Sequence, residues 1–224
     1  MPFKRTPETF TASINAVTIG TGDTAITLGG ENVMPLYSFD APIANRPAVG
    51  AEVSDLGINE NLPALAAFFE GDATPLQRAV RLAKTPGVDF IDIHLEGANP
   101  DGEDRSVEEC VELCTQIAEA VDLPLAIEGC KNFEKDTMVF GKVAEALQGK
   151  NVLILSAREE DYKTVGASVA LAYGQKLGAE SAVDINLAKQ LNVLISQLGV
   201  PEESMAMNLG SAAAGYGFEY VAST

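Results

Sequence analysis

The chain has 224 residues, 46% of them hydrophobic, and carries 15 Lys and Arg against 32 Asp and Glu, a net charge of −17. That length and apolar content support a substantial buried core and exclude a disordered or fibrous chain. A field of this sign repels a phosphate backbone, so nucleic acid is excluded as an expected partner. No apolar run approaches the roughly 20 residues needed to cross a bilayer, and Met1–Ser13 lacks the apolar stretch of a signal peptide. The expectation is a soluble, cytoplasmic protein with no membrane partner. Three cysteines, an odd number, predict reduced thiols rather than a disulfide framework.

Residues 1–47 read as an N-terminal extension, with alternating segments around Val17–Ile19 and Ala25–Leu28 joined by Gly20, Thr21, Gly22 and Asp23, a β-hairpin signal. From 48 to 224 the pattern becomes short β-rich runs, each followed by helical periodicity. The runs begin near Val49, Phe90, Leu125, Val152, Ser181 and Met205, at intervals close to the roughly 30 residues of a strand–helix–strand unit. Six such units predict an α/β fold with a parallel sheet.

The clearest helix runs from Val107 to Val121, where Ser106 and Glu109 have capping-box spacing and Cys110, Cys114, Ile117 and Val121 share a face. A second begins behind Asp161 as its cap and carries the stripe Tyr162, Val165, Val169 and Tyr173. A third, with Leu187, Leu191, Leu194, Ile195 and Leu198, stops at Gly199 and Pro201. Six units are two short of an eight-stranded TIM barrel. The alternatives are an open sheet or a (β/α)8 barrel truncated after about six βα units. Phe218–Thr224 reads as the start of another helix without a stop signal, which favours truncation at the C-terminus.

In either architecture ligands bind beyond the carboxyl ends of the strands. The first three strands are expected to end in Glu52, Glu96 and Glu128, carboxylates that could converge at one mouth and hold a hard cation or act as a general base. His94, the only histidine, is expected on the same side as Asp92 and Glu96; bonding to a neighbouring Asp is its commoner role and catalysis the rarer one. Cys110 and Cys114 lie on a buried stripe without the companions of a metal site. Cys130 follows Gly129 just past a strand end, where a thiol is near any ligand. Met207–Gly217 is nearly free of bulky side chains, which lets backbone approach a large ligand closely; it matches neither GxGxxG nor a P-loop.

This loop and Val183–Ile195 resemble the small subunit of the corrinoid iron–sulfur protein, the acetyl-CoA decarbonylase/synthase delta subunit family. Asn45–Asp55, Leu95–Asp101 with Ser106 and Val107, Glu128–Cys130 with Glu134–Asp136, and Gly215–Tyr220 continue the match in one order along nearly the whole chain. The resemblance implies an eight-stranded barrel subunit lacking its last two strands and helices here. It implies a heterodimer with a larger subunit that carries a [4Fe–4S] cluster, and a corrinoid (cobamide) whose cobalt lies between the two subunits. Such a pair carries a methyl group from a methyltetrahydrofolate methyltransferase to acetyl-CoA synthase/CO dehydrogenase, in the reductive acetyl-CoA pathway, and this chain is then a non-catalytic carrier component with no metal ligands of its own.

A corrinoid is wide, flat and fringed with amides, so a wall facing it needs little bulk and free backbone donors. The expected contacts are Gly129 and Cys130 in the loop after Glu128, and Asn208, Gly210, Ser211, Ala212 and Gly215 in the loop after Met207. Two rival functions remain open from the sequence. One is a pterin-binding methyltransferase barrel using Asp184 with Asn186 or Asn208; the other is a metal-dependent barrel enzyme using Glu52, Glu96 and Glu128.

Overall fold

The computed structural model describes residues 6–33, 40–210 and 214–223. Six parallel strands, β3 (Gly50–Ser54), β4 (Phe90–His94), β5 (Leu125–Glu128), β6 (Leu153–Ala157), β7 (Lys176–Glu180) and β8 (Met205–Asn208), form one sheet in chain order, preceded by β1 (Ala16–Ile19) and β2 (Ile26–Gly29). β1 and β2 pair antiparallel, with Val17 opposite Leu28 and Ile19 opposite Ile26. The chain is α/β with a mostly parallel sheet, as expected.

The helices are α1 (Pro63–Phe68), α2 (Pro75–Ala83), α3 (Val107–Ala120), α4 (Phe133–Ala146), α5 (Tyr162–Val165), α6 (Ile185–Gln197) and α7 (Phe218–Ser223). Alternation within the strands divides the core in two. Val53, Ile91, Ile93, Leu125, Ile127, Ile154, Leu177 and Ala179 face the helices and merge with Cys114, Ile117, Phe140, Val143, Leu191 and Ile195. Residues of opposite parity, Phe90, Ala126, Leu153, Leu155 and Ala206, pack on Val17, Ile19, Ile26 and Leu28, so the β1–β2 pair covers the sheet's other face. Asn151 fastens it there, donating from Nδ2 to the carbonyls of Thr18 at 2.9 Å and Gly20 at 3.0 Å.

The expected capping box on α3 is present: Glu109 N–H donates to Ser106 Oγ and Ser106 N–H to Glu109 Oε2. Three local expectations are corrected. The fifth strand is Lys176–Glu180 and Ser181 lies just past it, because this strand has a polar residue at each end and a glycine in the middle and so lacks an apolar run. Those features have tertiary reasons: Lys176 reaches Ser204 at 3.1 Å, Glu180 pairs with Arg158, and a Cβ on Gly178 would strike the side chain of Leu155.

The Tyr162–Tyr173 helix is a short α5 continuing as a π-helical stretch, Gly166–Leu171, and the Asp161 side chain makes no cap bond to it. Asp161 instead accepts from the Arg158 amide at 2.7 Å. Finally, β3 ends at Ser54 and β4 at His94, which puts Glu52 inside its strand and Glu96 in the 3-10 turn Glu96–Ala98.

Candidate functional site at the carboxyl ends of the strands

The sheet register aligns Glu52 with Asp92, Ser54 with His94, His94 with Glu128, and Glu180 with Asn208. Parallel pairing thus collects one polar residue after another on the face opposite the main core. Glu52 and His94 meet across strands, Nδ1 to Oε1 at 3.4 Å, so the histidine's partner is a neighbouring strand's glutamate rather than an Asp. Asp92, between Glu52 and Glu128, has its carboxyl pushed up to about 6, first by burial and then by those two charges.

The three glutamates do not form one cluster. Glu96 accepts from the Ser54 hydroxyl, Glu128 faces Lys131 at 3.9 Å, and Glu52 faces His94. Among the described residues no group of three or more His, Cys, Asp or Glu side chains is arranged to hold a metal ion. Glu52, Glu96 and Glu128, the carboxylates of the metal-enzyme alternative, are thus each engaged by a different partner. Cys110 and Cys114 are buried on α3, and burial pushes the Cys110 thiol up to about 11 and Cys114 higher still.

Loops at this end are tied to one another. Asp55, buried after β3, accepts from the Gly97 amide at 2.9 Å and faces Arg105 at 3.5 Å, joining the loops after β3 and β4. Asp136 at the start of α4 accepts from the amides of Cys130 at 2.7 Å and Lys131 at 3.0 Å. Arg158, after β6, lies 3.7 Å from Asp136 and 3.1 Å from Glu180, with its guanidinium over the Phe133 ring at 5.5 Å. The sequence pattern singles out neither Asp55 nor Arg158, whose partners come from other βα units, and Asp136 meets Arg158 from the next unit in addition to the amides of its own loop.

Gly129 lies against the Asp136 carboxylate and the Phe140 ring, with no room for a Cβ, and Cys130 is buried, its thiol raised to about 11 mainly by burial. Both sit at the β5 end, turned toward α4. Asn208 closes β8, with its amide Nδ2 3.3 Å from Ser156 Oγ. Gly210 follows at φ +61, a conformation that favours glycine, and among the described residues a Cβ there would meet only Ala182 at 3.7 Å. Gly215 is exposed, with nothing among the described residues near enough for a Cβ to touch. Ser211 and Ala212 lie outside the described residues. Asp184, one of the possible pterin ligands, is the N-cap of α6 and accepts from Asn186 and Leu187.

At the open edge, β8 and the β1–β2 pair flank a cavity of about 670 Å³ whose walls include Val17, Leu28, Leu153, Leu155, Ala206 and Asn208. No helix among the described residues is long and apolar enough to cross a membrane.

Fold and site together describe a parallel βα sheet with a polar mouth, loops braced by buried ion pairs, and a stretch of low bulk past the last strand. Residues 16–223 match the family described as CO dehydrogenase/acetyl-CoA synthase delta subunit. The chain is 32% identical to the acetyl-CoA decarbonylase/synthase complex subunit delta of Archaeoglobus fulgidus over 208 residues, 90% of this chain and 45% of the relative. It is 34% identical over 197 residues to subunit delta 1 of Methanosarcina thermophila, covering 87% and 45%, and 33% identical over 204 residues to subunit delta of Methanopyrus kandleri, covering 90% and 50%. The chain belongs to this delta subunit family, and spans about half the length of these relatives.

Proposed function

We propose that this chain is the small subunit of a corrinoid iron–sulfur protein, a methyl-group carrier component of the reductive acetyl-CoA pathway in the cytoplasm. In this reading it covers a corrinoid at the interface with a larger subunit, which holds the [4Fe–4S] cluster. Its outside partners are a methyltetrahydrofolate:corrinoid methyltransferase and acetyl-CoA synthase/CO dehydrogenase. In this reading the six strands are part of a (β/α)8 barrel, since they follow chain order without the reversal of a doubly wound sheet.

The observation that carries the reading is the end of β8. Asn208 offers a half-buried amide, and among the described residues a Cβ on Gly210 would meet only Ala182 and one on Gly215 would meet nothing. A macrocycle fringed with amides fits a wall of that kind. Family membership supplies the second support. A bound corrinoid supplies the methyl-accepting metal chemistry; this chain's residues shape the wall, donate hydrogen bonds and limit solvent. Asp136 and Arg158 fix the loop after β5, including Gly129 and Cys130, at the same end of the sheet.

The test is co-production with the large subunit, followed by the visible spectrum and cobalt content of the purified pair. Corrinoid bands are expected in the pair, and Gly210→Trp or Ser211→Trp should lower cobalt content severalfold. A pair that assembles with full cobalt content in both variants would refute the assignment of this loop.

A further inference from the structure

We propose that the cavity at the carboxyl end of β3 is a binding site for a small monocarboxylate with a short apolar body, held by Arg78. The cavity measures about 510 Å³, and its walls include Ser54, Leu56, Ile58, Leu65, Phe69 and Arg78. Arg78 is 5% exposed. Among the described residues no carboxylate lies within ion-pair distance of its guanidinium; Asp72, whose charge it feels, is taken by Arg81.

The donors of Arg78 are poorly served. Nη1 reaches the Asp72 and Ala73 carbonyls at 3.3 and 3.4 Å, Nη2 reaches the Ser54 carbonyl at 3.5 Å, and the buried Nε–H has no acceptor among the described residues. These bonds are at the long end of the N–H···O range. A cation removed from water without a counter-charge is strongly destabilising, and a guanidinium fork matches a carboxylate in two parallel bonds. A carboxylate would take over the donor now spent on the Ser54 carbonyl.

Shape and charge narrow the ligand. Leu56, Ile58, Leu65 and Phe69 suit an aliphatic tail, while Glu52 and Glu96 on the same wall oppose a dianion such as inorganic phosphate. Glu52 faces His94 and Glu96 holds the Ser54 hydroxyl, so neither neutralises Arg78. A single negative charge on a short chain satisfies both conditions. This inference is independent of the corrinoid reading, since it concerns a different cavity.

The experiment titrates the purified chain, without corrinoid, with butyrate, butylammonium and inorganic phosphate, following the Arg78 Nε–H resonance by NMR and the melting temperature. Butyrate should give a saturable shift of that resonance, with Kd in the roughly millimolar range of a small weak ligand, and should raise the melting temperature; the other two should do neither. Ile58→Glu supplies an internal carboxylate to the cavity and should weaken butyrate binding at least about tenfold, a loss of about 1.4 kcal/mol. This variant keeps the test decisive even if Arg78→Gln does not fold. Absence of a saturable shift, an equal response to butylammonium, or unchanged binding in Ile58→Glu would overturn the proposal.

Discussion

The backbone amide of Cys130 donates to Asp136 Oδ1 at 2.7 Å, and this bond sets the course of the loop after β5. With Lys131 on the other oxygen and Arg158 at 3.7 Å, a carboxylate with 1% residue exposure is fully engaged. Replacing it by Asn leaves a backbone donor without its charged acceptor and should cost about 1–3 kcal/mol. Asp136→Ala should cost about 3–5 kcal/mol, because Arg158 loses its buried partner. Urea unfolding followed by circular dichroism measures both, and an unchanged midpoint for Asp136→Ala would refute the account.

Gly129 has no space for a side chain between Asp136 and Phe140. Gly129→Ala should therefore destabilise the fold by about 1–3 kcal/mol through overpacking. Gly210→Ala, where the nearest atom to a Cβ among the described residues is 3.7 Å away, meets no such crowding there; its cost comes from φ +61 and should be about 1 kcal/mol. Equal costs, or the reverse order, would contradict the packing described at the β5 end.

Asp92 makes stability depend on pH with a definite sign. Its carboxyl titrates near 6 in the folded chain against 3.8 as the ordinary value, so the folded state favours the proton. The contribution is therefore complete below about pH 4 and is lost as pH rises through 6. Asp92→Asn should stabilise the chain by about 1–3 kcal/mol at pH 8, with the gain vanishing near pH 4. A gain independent of pH would remove this carboxyl as its source.

Burial also raises the thiols of Cys110 and Cys130 to about 11 from 9.0. Two units lower the thiolate fraction roughly 100-fold, so native alkylation by iodoacetamide at pH 8 should be slower than in urea by at least that factor. The same shift means that stability falls as pH rises from 9 toward 11, since only the unfolded thiols ionise freely there. Mass spectrometry of labelled peptides separates the cysteines, and rapid native labelling of Cys130 would contradict its burial.

Ser106→Ala should cost about 1 kcal/mol by removing the α3 cap. This device was legible in the sequence because Ser106 and Glu109 are three residues apart, and a capping box is a purely local arrangement. The α3 and α6 stripes and five of the six parallel strands were legible for the same reason: apolar periods of 3.6 and 2 are written within a dozen residues. β7 was missed because its Lys176, Gly178 and Glu180 answer to Ser204, Leu155 and Arg158, each more than twenty residues away.

The sequence by itself determined the element types, the α/β class and, through motifs spread in one order over the chain, the family. It also placed the polar ends of the strands at one mouth, since parallel strands joined by helices all point the same way. Only the tertiary structure decided which of those groups meet: His94 with Glu52, Glu96 with Ser54, Asp136 with Arg158, and Arg78 with no carboxylate among the described residues. Element type follows from local spacing, whereas these pairings depend on the register between strands and on how each loop folds over its neighbour, which are fixed only when the whole sheet closes on its core.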